Sequence, residues 1–378
     1  MAAAAPSRFT AGSLEESVGA ILVGLGADAT VAADLATSCV RTSVRGVDSH
    51  GLGLVPKIIR RVQDPTAGGT ESADADLVRT QLSQPAVVVP GLDESLPVAV
   101  VDARLSPGQH SCLFAARLAA EKAKRSGIAM VAVRNSTHFG ACVPFLQELL
   151  AQGLVGMVGS NCTPSMAGLG SPVANMGNMP WGFAAPVAGD TPDFLFDFCC
   201  AVMSFGRLNK MKAAGDDVPD DAFKQVQMGE LSDEKRTFTN LAACTNLGMP
   251  FGGHKGSAVA MMIEVLSGCL SFGNFGARAE CIDGGKFLGP SHFVIAIDPA
   301  KFNAGGEGSS GTDFAEGMRR YVADIKAPDP DGIKYAGERA QAVSADRTAN
   351  GIPIAADLEA DLRAFAAEAG VEINLVQA

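Results

Sequence analysis

The chain of 378 residues is 47% hydrophobic and 19% charged, enough to bury a sizeable core spread over two or three lobes. Its formal net charge of -11 and low aromatic content (6%) argue against nucleic acid or an anionic membrane surface as the main partner. No apolar run approaches the ~20 residues of a membrane span, and Met1 to Pro6 lacks the basic and apolar regions of a secretory signal, so a cytoplasmic location is expected. Nine cysteines with no Cys-x-x-Cys pair read as reduced core residues, Cys112, Cys142, Cys244 and Cys269 among them. Adjacent Cys199 and Cys200 allow a vicinal disulfide, although buried thiols suit the pattern better.

Ser13-Leu14-Glu15-Glu16 fits a capping box and predicts a helix running to about Gly24. A second helix starts near Thr30 with Val31, Leu35 and Val40 on one face, and a third spans Leu52 to Val62. These N-terminal helices read as too apolar for a monomer's surface, which predicts a dimer. Residues Asp64 to Asp76 read as a linker or exposed loop. Short β-branched runs at Ala86 to Val89 and Val98 to Val101 predict strands, followed by a helix over Gly108 to Arg125 and a strand over Ile128 to Val133. A helix over Val143 to Ala151 and a strand over Leu154 to Val158 continue an α/β layer with crossovers. Gly206 to Thr239 reads as a long polar excursion. Lys255 to Cys269 predicts a buried helix, His292 to Ile297 a strand, and Pro353 to Ala367 a terminal amphipathic helix.

Three stretches carry chemistry. Arg45-Gly46-Val47-Asp48-Ser49-His50-Gly51 places an imidazole, which titrates near neutrality, beside a serine and a glycine that lets a ligand approach. The residues alone leave two readings of His50 open: a proton-transfer group, or the last turn of a helix capped by glycine. Arg134-Asn135-Ser136-Thr137-His138-Phe139-Gly140 follows a strand and precedes a helix, where α/β proteins place ligand contacts; as a polar loop with a helix cap it is equally ordinary. Gly252-Gly253-His254-Lys255-Gly256-Ser257 combines glycines, a helix N-terminus and a lysine, a setting for an anion such as a cofactor phosphate, or a plain helix entry. No Gly-x-Gly-x-x-Gly fingerprint and no Walker-type loop is present, and the five histidines are not spaced as metal ligands, so no metal is expected.

In order and spacing these stretches resemble the type 2 malate/L-lactate dehydrogenases, the superfamily of malate, lactate, sulfolactate and ureidoglycolate dehydrogenases and cyclic-imine reductases. The resemblance continues through Ser160-Asn161, Met176-Gly177-Asn178-Met179-Pro180, Phe196-Asp197-Phe198, Gly337-Glu338-Arg339 and Gly351-Ile352, and covers nearly the whole chain. It implies a non-Rossmann three-layer α/β fold with a mixed sheet, of the sulfolactate dehydrogenase type, with an N-terminal helical lobe. The expected division is a helical lobe over residues 1–76, packed with 330–378, and an α/β cofactor- and substrate-binding region over 77–329. It further implies hydride transfer between NADH or NADPH and a small 2-oxo or 2-imino acid, or the reverse oxidation of a 2-hydroxy acid, in a homodimer that shares its site between subunits.

In the same reading His50 matches the proton donor, Asp197 the carboxylate that orients it, and Ser49 completes the catalytic group. Arg45, Asn135, His138 and Met179 fall at the substrate, whereas Asn161, Thr163, Pro164, Ser165, Gly177, His254, Lys255, Gly337, Glu338 and Arg339 fall at the cofactor. Three departures stand out: Leu54 replaces the family's arginine four residues after the histidine, and Gly177-Asn178-Met179-Pro180 and Asp197-Phe198-Cys199-Cys200-Ala201 are altered. Losing a charge-assisted carboxylate contact removes ~1.5–3 kcal/mol. Simple 2-oxo dicarboxylates therefore fit less well than a larger or less charged acid. The rival reading is a homologue that binds a nucleotide or partner without turnover; a metal hydrolase is more distant.

Overall fold

The computed structural model describes residues 6–63, 81–168, 171, 174–204, 211, 215–217, 223–225, 246–279, 281–283, 286–303, 305 and 313–378. The linker over 64–76, Cys244 and nearly all of the polar excursion over 206–239 lie outside them. The chain opens with β1 (Ser7–Phe9) and α1 (Ala11–Gly24). The cap of α1 is Thr10, whose side chain accepts the Ser13 N–H at 3.3 Å, so the helix begins before the Ser13 motif rather than at it. Ser13 turns its own hydroxyl back on Thr10, which makes it a first-turn residue. Asp28 caps α2 (Ala29–Val44) by accepting from Thr30 and Val31 N–H.

The end of α2 fixes the position of His50. Gly46, at φ +86°, lets its own N–H bond Ser43 O and the Val47 N–H bond Thr42 O, a Schellman closure. His50 therefore lies beyond the helix, in a 3-10 turn over Asp48–His50. The helix-cap reading of His50 fails because Gly46, not Gly51, ends the helix. Gly51 has a different duty: a Cβ there would sit 2.7 Å from Cys39 O and 2.8 Å from Ser43 N, so only glycine lets this turn lie on α2. A second 3-10 turn (Leu52–Leu54) leads into α3 (Val55–Gln63).

The main sheet is built from β2 (Val87–Val88), β3 (Val98–Asp102), β4 (Ile128–Arg134), β5 (Val155–Ser160), β6 (Trp181–Ala185), β7 (Phe194–Phe198) and β12 (His292–Ile297). Two small two-stranded sheets, β8 (Phe223–Gln225) with β9 (Asn246–Gly248) and β10 (Cys281–Asp283) with β11 (Lys286–Leu288), lie apart from it. The strand order is β2-β3-β4-β12-β5-β6-β7. Only β3 and β4 run parallel, joined by the crossover helix α4 (Gly108–Ser126); the other neighbours are antiparallel. The sheet is mixed, with one parallel crossover rather than a repeated one.

Pleating sorts the side chains into two cores. Val131, Val294 and Val158 stand in register on one face with α4 and α5 (Val143–Leu150), and Met130, Ile295 and Met157 stand on the other. That second face is covered by α6 (His254–Glu264), which runs into a π-turn over Val265–Cys269. Helices on both faces make three layers. The segment over Lys255 to Cys269 is not the buried helix its apolarity predicts. Ala260 and Ile263 are buried, but Met261 is 61% exposed, Val265 55% and, just beyond, Phe272 84%. Cys269 is exposed as well.

A separate core joins α1, α2 and α3 to β13 (Ile352–Ile354), which pairs with β1, and to α9 (Ala356–Ala369). Leu14, Val18, Ile21, Val31 and Leu35 are fully buried in it, so the N-terminal helices cover their own apolar faces. The chain's uncovered apolar surface lies on α6 instead. Between α6 and β13 come α7 (Phe314–Lys326) and α8 (Glu338–Asn350), the latter packed on α2. Among the described residues no helix is long and apolar enough to cross a membrane, and Cys39, Cys112, Cys142, Cys162, Cys199, Cys200 and Cys269 are thiols, not disulfides.

Candidate active site

A cavity of about 510 Å³ opens where the His50 turn meets the ends of β5 and β7 and the loop after β4. Ser49, His50, His138, Gly140, Asn178, Asp197 and Arg339 all border it. A groove of similar size between α1 and α2 is lined by alanine, glycine, Val23 and two glutamates, with no imidazole or cation beside them. The His50 cavity is the candidate site, since it brings an imidazole, a carboxyl and a guanidinium together.

Ser49 Oγ lies 2.9 Å from His50 Nδ1, which fixes the ring and leaves Nε2 for exchange with a ligand. The His138 ring is 5.9 Å away, centroid to centroid. Gly140, at φ +82°, brings its loop close against the His50 carbonyl; a Cβ there would be 2.9 Å from that oxygen. Burial, then His138, then Lys57 push the His50 imidazole down to about 4, so it is neutral in the free protein.

Asp197 sits on β7 opposite Gly182 of β6. Its Oδ2 accepts the N–H of Cys142 at 2.7 Å and of Val143 at 3.2 Å, at the start of α5, rather than pairing with His50. Burial raises this carboxyl to about 6, while those backbone donors and Arg45 pull it the other way. In the free protein a proton thus prefers Asp197 to His50, the reverse of the ordinary order of the two side chains.

Several side chains expected at the substrate face elsewhere. Arg45 is buried behind β7, donates Nη1 to Gln341 Oε1 at 3.2 Å, and borders a separate cavity of about 240 Å³ with Asp193. It acts on Asp197 through its charge from behind. Asn135, at φ +53°, donates Nδ2 to Asp102 Oδ2 at 3.0 Å and does not border the His50 cavity. Met179 is 1% exposed and packs with Met166 and Phe293 beneath the cavity, while its neighbours Asn178 and Pro180 border it. In each case the residue type is polar or adaptable enough for a site, but a tertiary partner turns it away.

The residues expected at the cofactor divide similarly. Asn161 touches the cavity, yet it accepts from Ser291 N–H and donates to Glu264 and the Asn274 carbonyl, which makes it a latch between β5, β12 and α6. Ser165 pairs by backbone with Met176 and Gly248; Thr163 and Pro164 lead into that bridge. Gly177 backs onto Cys162, where a Cβ would meet its carbonyl at 2.5 Å. His254 and Lys255 are exposed at the start of α6, outside the cavity lining. Gly337, at φ +106°, lets α8 approach β7, and Glu338 is bound to Lys326 and Lys334. Arg339, one residue on, is exposed, borders the cavity and has no partner among the described residues. Val202 and Met203 are apolar walls of the cavity with no motif to mark them, and Val47 and Phe139, which also border it, lie inside the quoted stretches but carry no polar group to single them out.

An imidazole, a half-buried carboxyl and an unpaired guanidinium border one cleft, on a mixed sheet of non-Rossmann α/β fold without a dinucleotide fingerprint. A family model described as malate/L-lactate dehydrogenase matches residues 9–363, and the chain belongs to that family. It is similar to the malate dehydrogenase of Pyrococcus abyssi, 28% identical over 93% of this chain and 92% of the relative. The sulfolactate dehydrogenase of Methanocaldococcus jannaschii shares the fold with a TM-score of 0.75 at 23% identity, covering 97% of this chain and 98% of that one. The Δ1-piperideine-2-carboxylate reductase of Pseudomonas syringae pvar. tomato superposes with a TM-score of 0.76 at 25% identity, covering 95% and 99%. The chain is therefore an oxidoreductase of the dehydrogenase and reductase type.

Proposed function

We propose that the chain reduces a small 2-oxo or 2-imino acid with NADH or NADPH, or oxidises the matching 2-hydroxy acid, with His50 passing the proton. The observation that carries this is the placement of His50, held by Ser49, in one cavity with Asp197, His138 and Arg339. The cavity's volume is in the range of small-ligand sites. The nicotinamide cofactor, when bound, supplies or accepts the hydride. The unpaired Arg339 suits one of its phosphates. The close approach at Gly177 and the strand-end segment over Thr163, Pro164 and Ser165 suit its backbone contacts. His254 and Lys255, with the α6 N-terminus, suit a more distant anionic part of it.

The residues divide the proton work. During reduction negative charge grows on the substrate heteroatom, and a protonated His50 gives up its Nε2 proton to it. Ser49 keeps the ring aimed. The His50 imidazole is low in proton affinity because it is desolvated and flanked by positive charge. A bound substrate carboxylate offsets that charge and raises its affinity, so protonation follows binding. Asp197, raised to about 6, is the neighbouring store of a proton. The altered Phe198 and Cys199, together with Val202 and Met203, give the cavity an apolar wall, which suits an acid with one carboxylate and an apolar body. The free thiols suit a reducing, cytoplasmic location.

Purified protein titrated separately with NADH and NADPH should bind at least one of them saturably, read by fluorescence or calorimetry. No binding of either up to millimolar concentration sinks the reading.

The apolar surface of α6 and the turn after it supports a homodimer, with Met261, Val265, Phe272 and Phe275 covered by a second copy. Light scattering should give twice the chain mass, and Phe272→Asp should shift the protein toward monomer. A wild-type monomer at micromolar concentration would count against it.

A further inference from the structure

We propose that the Asn178 amide, aimed by the thiol of Cys162, is the donor that binds the substrate's carboxylate, and that this neutral grip sets the specificity of the site; the proposal rests on the reduction reading above. Asn178, Cys162 and Cys199 all border the His50 cavity. None of the three carries the proton work of His50 and Asp197.

Three local constraints put the Asn178 side chain there. Met179, at φ +42°, holds a left-handed backbone that a methionine rarely adopts, and its own side chain packs into the core beneath the cavity. The Cys200 N–H bonds the Asn178 carbonyl at 2.7 Å, and the Ser160 N–H bonds the Pro180 carbonyl at 3.0 Å. The segment is thus stitched to β5 on one side and to the chain leaving β7 on the other. Gly177 makes room for Cys162, since a Cβ at 177 would lie 2.6 Å from its sulfur.

Cys162 then fixes the amide. Its S–H donates to Asn178 Oδ1 at 2.9 Å, which turns the NH2 end the other way. No carbonyl or carboxylate of the described residues takes that Nδ2; its neighbour is the Cys199 sulfur, a weak acceptor. Other polar groups in the cavity wall are committed. Ser160 bonds His292 and the Asn161 carbonyl, Asn161 is the latch to Ser291 and Glu264, and Asp197 holds backbone donors.

Among the described residues bordering the cavity, Arg339 is the one permanently cationic side chain, and the reading above gives it a cofactor phosphate. A hydride reaction on an acid brings a second anion, the substrate carboxylate, and Asn178 is the donor left for it. A neutral amide holds one carboxylate oxygen and does not offset a second negative charge. Val202 and Met203 supply an apolar wall for the rest of the molecule. The substrate class is then a 2-oxo or 2-imino monocarboxylate with an apolar body.

The test titrates oxamate, a non-reducible 2-oxo acid probe, into wild type, Asn178→Leu, Cys162→Ala and Cys162→Ser, with and without saturating cofactor. Asn178→Leu should weaken oxamate about tenfold to a hundredfold, with cofactor affinity and the unfolding midpoint unchanged. Cys162→Ala lets the amide turn and should weaken oxamate about fourfold to tenfold. Cys162→Ser keeps a donor to Oδ1 and should stay within about twofold of wild type. With an accepted acid the losses should appear in KM rather than kcat. Oxamate affinity that is absent in wild type, or equal in wild type and Asn178→Leu, overturns the proposal. So does an Asn178→Leu protein that loses cofactor affinity with oxamate unchanged, which would give the amide to the cofactor. A Cys162→Ser protein as weak as Cys162→Ala overturns the aiming role of the thiol. Titrations without cofactor report on Asn178 even if no nicotinamide cofactor binds, which separates its failure from that of the reduction reading.

Discussion

Asp34→Ala is expected to lower the unfolding free energy by about 2–4 kcal/mol, the largest stability effect of a single side chain outside the apolar cores. Asp34 lies on α2 and is 4% exposed. Its Oδ2 accepts from His110 Nδ1 at 2.7 Å and its Oδ1 from Arg117 at 2.8 Å, both on α4. His110 Nε2 in turn accepts the Ala86 N–H at 3.0 Å, which fixes the ring as the Nδ1–H tautomer. Removing the carboxylate leaves a buried imidazole donor with nothing to bond. It also takes one partner from Arg117, which is 45% exposed and so is partly resolvated by water. That exposure places the loss below the full cost of breaking a buried pair. Chemical denaturation of the variant should show a lower midpoint with an unchanged slope. A loss under about 0.5 kcal/mol, the range of an ordinary surface substitution, would mean that this network does not join the helical lobe to the sheet.

How much of this was legible in the sequence follows from what each element depends on. The strands at 128–134, 155–160 and 292–297 and the helix over 108–126 were readable because their burial follows the local period. Their arrangement was not. β12 inserts between β4 and β5 by pairing residues such as His292 with both Val133 and Ser160, and no local pattern encodes contacts that far apart. The His50 stretch shows the same division at the site. Its residue types pointed to proton transfer, but two glycines, Gly46 and Gly51, could each end the helix. Only the reach of the Val47 N–H to Thr42 O decides for Gly46 and leaves His50 in the cavity.

Direction was the least legible property. Arg45, Asn135 and Met179 have side chains suited to a site, and each is drawn off by a partner distant in sequence: Gln341, Asp102, and the core around Phe293. The apolar run over α6 reads as buried from its composition, yet Met261, Val265 and Phe272 are exposed, because composition does not say which side of a helix faces the sheet.

The most direct test of the account is the kinetics of His50→Gln. Glutamine keeps a polar side chain beside Ser49 but cannot carry a proton to the substrate heteroatom. The variant should bind NADH or NADPH with nearly wild-type affinity, and reduce an accepted 2-oxo or 2-imino acid at least ~10²-fold more slowly. The wild-type kcat/KM for reduction should fall as pH rises, because protonated His50 becomes scarcer, with its free-protein affinity held low at about 4. The residual rate of His50→Gln should lose that dependence. A His50→Gln enzyme that turns over at the wild-type rate, with the wild-type pH profile, would contradict the assignment of His50 as the proton-transfer group.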